Sequence, residues 1–166
     1  MSIVTFLEWL AATPGSVALH ESRYVFLSVL TVHVMTLCVF AGMAVIIDLR
    51  LLGLTMLRVP ASELVSRLVP WALAGLLVMV VSGLLLFYAA PLERYGNLFF
   101  RAKMVLLILA GSNVWVFHKT VYRRVAEWEL DRVPPRGARV AGGLGLTLWA
   151  GIIVAGRMIP YQQYWF

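Results

Sequence analysis

Two histidines beside long apolar stretches are the residues of this 166-residue chain best suited to metal chemistry. His33 is the one strongly polar residue in the uncharged stretch 24–47, and His118 follows directly on the apolar stretch 104–117. A neutral imidazole inside a membrane needs a partner for its N–H group, and its other nitrogen is then free to ligate a metal. Two such imidazoles on different helices can hold a haem iron axially. The alternative is a structural His33, hydrogen-bonded to a neighbouring helix, and an ordinary interfacial His118.

Three basic residues near the ends of the third and fourth apolar stretches form a second candidate set, namely Arg101, Lys103 and Arg157. One interpretation is that their long side chains snorkel outwards to water. The other is a basic pocket for haem propionates, a quinone or lipid headgroups. His20 precedes His33 by thirteen residues, which places it on nearly the opposite helical face. We therefore expect His20 to be exposed at the interface, with a second metal or quinone site as the alternative.

Small residues in the apolar stretches are typical of tight helix packing in membranes. Ser82 and Gly83 belong to the second stretch and Gly142 and Gly145 to the fourth. Gly111 has a second interpretation. It precedes His118 by seven residues, so it lies on nearly the same helical face and would leave room for a flat cofactor.

Three further polar residues lie in or just beyond the apolar stretches. Asn113 is expected to make an interhelical hydrogen bond. Asp48 and Arg50 follow the first stretch, where they would pair with loop charges. The alternative is that they hold a cofactor carboxylate or cap a helix.

The composition excludes a soluble globular protein. Hydrophobic residues make up 61% and charged residues 13% of the chain, against about 45–50% and about 25% in soluble domains. Disorder and a coiled coil are excluded by the long uncharged runs. The net charge of +6 fits membrane orientation and contact with anionic lipids, and we expect no nucleic-acid partner. Cys38 is the single cysteine, so the chain has neither an internal disulfide nor a thiolate metal site.

The apolar stretches predict a single all-α transmembrane domain, a four-helix bundle. A span needs about 20 apolar residues, and four stretches meet this length: 24–47, 68–91, 98–119 and 140–160. Pro70 would lie in the first turn of the second span, where its missing N–H is harmless. Before the first span, residues 3–10 predict a short interfacial helix anchored by Trp9 and ended by Pro14.

The distribution of basic residues predicts the orientation. Nine of the 14 lie in the connections after spans one and three. They are Arg50, Arg58, Arg67, Lys119, Arg123, Arg124, Arg132, Arg136 and Arg139. By the positive-inside rule both termini are outside, which is the periplasm for a bacterial inner membrane.

Three sequence segments resemble a family of uncharacterised bacterial four-helix inner-membrane proteins. The first, LTVHVMTLCVFAGMAVIIDLRLLGL, carries the family's span-one histidine and DLRLLG box. The others are FFRAKMVLLILAGSNVWVFHKTVYRRVAEW and PPRGARVAGGLGLTLWAGIIVAGRMIPY. The resemblance implies the four-helix fold and covers nearly the whole chain. It places these residues on motif positions: His33, Asp48, Arg50, Arg101, Lys103, His118 and Arg157. The first span is also loosely similar to four-helix b-type cytochromes and copper-resistance membrane proteins.

These features lead to two functional hypotheses. In the first, His33 and His118 hold a b-type haem between spans one and three, with Gly111, Arg101, Lys103 and Arg157 around it. The haem then exchanges electrons with a quinone or with a membrane or periplasmic redox partner, as in an electron-transfer subunit of an oxidoreductase. In the second, the chain is a non-redox accessory subunit of a larger membrane complex. Self-association is compatible with both. We expect no catalytic side chains, because the chain contains no Walker, GxSxG or HExxH motif.

Overall fold

The computed structural model describes residues 2–131 and 133–164, and Arg132 of the orientation set lies outside these residues. The described part is all α-helical. Its α-helices are α1 Ile3–Ala11, α2 Pro14–Glu21, α3 Arg23–Leu52, α4 Ala61–Ala89, α5 Pro91–Gly96, α6 Leu98–Thr120, α7 Val125–Trp128 and α8 Arg136–Met158. Two 3₁₀ segments, Tyr122–Arg124 and Ile159–Tyr164, follow α6 and α8.

The four long helices α3, α4, α6 and α8 are each long and apolar enough to cross a membrane. Their outward faces carry large apolar side chains, such as Leu77, which is 65% exposed, and Ile108, which is 68% exposed. In water such surface would be costly, whereas in lipid it is solvated. The chain is therefore a multi-pass membrane protein with four spans, as the sequence predicts.

The long helices pack in the lateral order α4–α3–α8–α6. Helix α3 packs against α4 and α8, and α8 also packs against α6. Among the described residues, α3 and α6 share no extensive contact. We call the end of the bundle that carries α5 the α5 end, and the opposite end, which carries α7, the α7 end. Helices α3 and α6 begin at the α5 end, whereas α4 and α8 begin at the α7 end.

Glycines in α8 allow α3 to approach closely. A Cβ atom built at Gly142 would lie 2.6 Å from the Asp48 carbonyl oxygen. A Cβ built at Gly145 would lie 2.5 Å from Asp48 Oδ1. Real Cβ atoms do not approach other atoms this closely. A side chain at Gly142 would displace the α3 backbone, whereas one at Gly145 would displace the Asp48 carboxyl group. The expectation that these two glycines serve tight packing is confirmed.

Arg50 joins the two connections at the α7 end. Its side chain is 1% exposed. Its Nε donates to the Val59 carbonyl at 3.1 Å and its Nη2 to the Glu129 carbonyl at 2.7 Å. The Glu129 carboxylate accepts a hydrogen bond from Ser62. The expected pairing of Arg50 with loop charges is therefore wrong, because its partners are backbone carbonyls.

The N-terminal segment forms two short helices instead of the one expected. Helix α1 begins after Ser2, whose hydroxyl accepts the Thr5 N–H at 3.2 Å. Pro14 follows the end of α1 as expected, but it also begins α2, since proline suits the first turn of a helix. Ser16 then donates to the Tyr88 carbonyl at 2.7 Å and attaches α2 to the end of α4.

The second span begins at Ala61, earlier than its apolar stretch indicates. The added turns are polar and contain the Arg67–Glu63 salt bridge of 2.6 Å, a spacing that supports a helix. Pro70 consequently lies inside α4 and not in its first turn, which corrects the sequence-based position.

Candidate functional site

His33 lies at the contact between α3 and α4, where it is 9% exposed. Its Nδ1 is 2.8 Å from the Ser82 Oγ, and the Ser82 hydroxyl donates to the Val78 carbonyl at 2.6 Å. A hydroxyl has one proton. Since Ser82 gives that proton to Val78, its oxygen accepts from His33 Nδ1–H. This network assigns the proton of the neutral imidazole to Nδ1 and leaves the lone pair on Nε2.

The surroundings of His33 hold the ring, because Nδ1 contacts Ser82 and the imidazole also forms a hydrogen bond with the Met79 backbone. A Cβ built at Gly83 would lie 3.4 Å from His33 Cε1, so the imidazole packs directly on the α4 backbone. A fixed tautomer with one N–H bonded to protein and the other nitrogen free is the usual arrangement of metal-ligating histidines. The same hydrogen bond would also serve a purely structural histidine.

Lys103 is the predicted basic residue that the structure brings towards His33. Its ammonium is close enough to the His33 ring to interact with it electrostatically. The side chain is half-buried and turns towards α8, with Nζ 3.6 Å from a Cβ built at Gly156. The Lys103 side chain therefore lies along the contact between α6 and α8 and does not face lipid.

The other two members of the basic set do not join this group. Arg101 is exposed on α6. Arg157 is also exposed, and its guanidinium carbon lies 5.5 Å from the centroid of the Tyr161 ring, in a cation–π contact. Arg94 of α5, by contrast, lies within Coulombic range of Lys103. Sequence reasoning missed Arg94 because it lies in a connection outside the apolar stretches, where a basic residue is ordinary.

His118 lies far from His33. It is exposed on α6, and its ring stacks on Tyr122 with centroids 4.5 Å apart. The preceding Phe117 packs in one cluster with Leu51 at the α7 end. Leu51 follows His33 by five turns of α3, about 27 Å along the helix axis. The structure does not bring the two histidines together in one chain, since one haem iron requires both imidazoles at bonding distance.

Gly111 shares the outward surface of α6 with His118. It is exposed, and a Cβ built there would meet no atom within 4 Å. It therefore permits no close helix contact within this chain, unlike Gly142 and Gly145. Asn113 lies between the two outward residues and makes the expected interhelical bond, with Nδ2 2.9 Å from the Ala141 carbonyl.

Two cavities flank the α5 end of the bundle. One, of about 390 Å³, lies at the surface between the N-terminal helices and α5, and its polar lining includes Ser16, His20, Glu21 and Glu93. His20 is exposed there, as expected. The other is an apolar groove of about 440 Å³ between α3 and α4, and Ser82 contributes to its lining. The groove therefore reaches the hydroxyl that holds His33.

Within the residues that the structure describes, no three His, Cys, Asp or Glu side chains are grouped as a metal site would require. A metal at His33 would thus take its remaining ligands from a cofactor or from another molecule.

No curated protein and no solved structure is similar to the chain at a significant level. One family model, described as a family of unknown function, matches residues 4–162. The chain therefore belongs to DUF6644, a family of unknown function.

Proposed function

We propose that this protein holds a haem b at His33 and transfers electrons within the membrane. The observation that carries the proposal is the hydrogen bond from His33 Nδ1–H to Ser82, which leaves Nε2 available as a ligand. The absence of a CxxCH motif means that the haem would not be attached covalently. When bound, haem supplies reversible one-electron transfer between ferric and ferrous iron.

The residues around His33 would orient the ligand and set its basicity. Ser82 fixes the plane of the imidazole, and its bond to the ring N–H raises the basicity of Nε2. Gly83 lets the ring pack on the α4 backbone. Lys103 adds a positive charge nearby, which favours an acidic group on the cofactor.

Each chain would supply one histidine ligand, His33. His118 lies at the other end of the bundle, so its pairing with His33 in one chain has no support from this arrangement. A second protein ligand would have to come from a second copy of the chain or from a partner subunit. A low-spin spectrum would indicate such a ligand, whereas a high-spin spectrum would indicate His33 alone.

A quinone is the electron partner that the apolar groove favours. The groove opens along α3 and α4, and its lining is almost entirely aliphatic apart from Ser28 and Ser82. A lipid-soluble ring could enter it from the bilayer and approach the Ser82 hydroxyl. For location, we propose the inner membrane of a bacterium with both termini in the periplasm, supported by the distribution of Lys and Arg.

The test is the absorption spectrum of protein purified from haem-replete cells. We expect a Soret band that sharpens on reduction with dithionite, and its loss in His33→Ala. His118→Ala and His20→Ala are matched controls that remove an exposed imidazole, and both should retain the haem. A colourless wild-type protein would overturn the proposal, as would loss of the haem from His118→Ala with retention in His33→Ala.

The second candidate is a non-redox accessory subunit of a larger membrane complex. Its specific support is the outward surface of α6, where Trp115 is 64% exposed beside Gly111 and His118. Aromatic and small residues together are suited to contact with another transmembrane helix. In this case the His33–Ser82 bond joins α3 to α4 and has no cofactor role. The protein would then be colourless and would co-purify with partner subunits in a mild detergent.

A further inference from the structure

Lys103 places a positive charge inside the bundle near the α5 end. It is the sixth residue of α6, about 8 Å below the start of the helix. Its side chain passes over Gly156 of α8, with Nζ 3.6 Å from a Cβ atom built there, which is an ordinary van der Waals contact. An ammonium group in this position loses much of its hydration and needs compensation from an opposite charge.

The charged groups that act on Lys103 do not supply that compensation. Arg94, also basic, lies within Coulombic range of Lys103. The Nε of Arg94 is buried and has no hydrogen-bond partner among the residues that the structure describes. The salt bridge formed in the described part of the chain joins Arg67 to Glu63, at the α7 end. Among the described residues, two like charges and a buried donor without a partner thus lie near one another with no salt bridge to a carboxylate.

We propose that Arg94 and Lys103 form a binding site for an oxyanion carried by a membrane-bound molecule. The guanidinium of Arg94 and the ammonium of Lys103 are the donors that carboxylate and phosphate groups prefer. Arg94 lies in α5 and Lys103 in the second turn of α6, so both are near the α5 end of the bundle, where lipid headgroups and the acidic edges of membrane cofactors are found. Bound there, an anion neutralises both cations and accepts the unused Arg94 Nε–H.

Two sources can supply this oxyanion. One is the phosphate of an anionic lipid. The other is a carboxylate of a haem at His33, which lies within Coulombic range of Lys103. The second source rests on the proposed function and adds an acid-binding subsite to it. The first source is independent of haem, so the two inferences can fail separately.

Arg101 is the residue that distinguishes a specific site from a general attraction to anionic lipid. It lies two residues before Lys103 on the same helix, but its side chain is exposed. Residues two apart on a helix point about 200° apart, so Arg101 and Lys103 face different directions. A general attraction of this end of the protein to anionic membranes would depend on Arg101 as much as on Lys103.

The lipid source is tested with delipidated protein and phosphatidylglycerol, with occupancy measured by native mass spectrometry. We expect Lys103→Gln and Arg94→Gln each to weaken phosphatidylglycerol binding about tenfold, the loss expected for one charge-assisted hydrogen bond. Arg101→Gln is the matched control and should bind as the wild type does. Lys103→Arg keeps the charge and should retain binding, so it separates a lost site from a misfolded chain.

The cofactor source is tested with haem and with haem dimethyl ester, whose carboxylates are blocked. If a haem carboxylate occupies the site, the wild type should bind the ester about tenfold more weakly than haem. Lys103→Gln should then bind the two equally. If the protein binds no haem, but its binding of phosphatidylglycerol is weakened by Lys103→Gln and Arg94→Gln, the oxyanion site is supported and the haem proposal is refuted. The oxyanion site is refuted if Arg94→Gln and Lys103→Gln change the affinity for neither phosphatidylglycerol nor haem. It is also refuted if Arg101→Gln weakens binding as much as they do.

Discussion

The carboxyl group of Asp48 in α3 occupies the space in which a side chain at Gly145 of α8 would begin. A Cβ built at Gly145 would lie 2.5 Å from Asp48 Oδ1 and 2.6 Å from Cγ. Asp48 therefore contacts α8 at Gly145, and among the described residues it forms no salt bridge with a loop charge. The contact joins the first half of the chain to its last helix.

A methyl group at Gly145 should therefore destabilise the protein. We expect Gly145→Ala to lower the free energy of unfolding by about 1–3 kcal/mol, the usual cost of overpacking. Unfolding by sodium dodecyl sulfate in mixed micelles, followed by tryptophan fluorescence, measures this change. Gly111→Ala is the matched control in another span, and its methyl group would meet open space. Equal stability of Gly145→Ala and the wild type would contradict the close contact between α3 and α8.

Removal of the Ser82 hydroxyl should show how much its hydrogen bond to His33 contributes to stability and to ligand binding. Ser82→Ala removes the hydroxyl that accepts from the buried Nδ1–H, at a cost of about 1–3 kcal/mol in unfolding free energy. If haem binds at His33, its affinity should also fall about 10–100-fold, as for other residues that orient a metal ligand. Ser112→Ala removes an exposed hydroxyl from α6 and should change neither quantity. Unchanged stability in Ser82→Ala would indicate that His33 bonds elsewhere.

Lysine should not replace Arg50. A lysine ammonium cannot reproduce the planar fork that reaches the carbonyls of Val59 and Glu129 together. We expect Arg50→Lys to loosen the connection 121–135 and to speed its cleavage in limited proteolysis. Arg58 is exposed nearby, so Arg58→Lys serves as the control. Cleavage at the wild-type rate in Arg50→Lys would show that these hydrogen bonds do not restrain the connection.

The proposed orientation predicts where a reporter enzyme works. A reporter active only in the cytoplasm should function when inserted in the connection 129–135, before α8 begins, and fail when fused to the C-terminus. A periplasmic reporter should show the opposite pattern. If the cytoplasmic reporter works only at the C-terminus, the orientation is reversed although the four spans remain.

The four spans could be predicted because a helix that crosses a bilayer must be apolar over its whole length. The lateral order of the helices could not be predicted from the sequence, because side chains that face lipid and side chains that face another helix are both apolar. Gly111 and Gly145 show the difficulty. Both are glycines inside apolar spans, yet Gly145 contacts Asp48 and Gly111 meets open space.

The candidate site was predictable in part for a similar reason. His33 was identifiable because an imidazole in an uncharged span needs a partner. Its partner was not identifiable, since Ser82 is equally typical of a small packing residue and lies 49 positions away. The association of His118 with His33 relied on residue type alone. Side-chain direction and depth, which separate the two, depend on how α6 and α3 are arranged around α8.

The lateral order has a consequence for the synthesis of the protein. Helix α8 leaves the ribosome after the other three spans, yet it lies between α3 and α6 and contacts both. Until it inserts, the hairpin of α3 and α4 has no extensive contact with α6 among the described residues. Because the chain is synthesised from the N-terminus onwards, α6 is in the bilayer without its α8 contacts until α8 has been inserted. Nascent chains stalled before Arg136 would therefore expose both faces that α8 later covers, and these are the faces that insertion chaperones or quality-control proteases would meet.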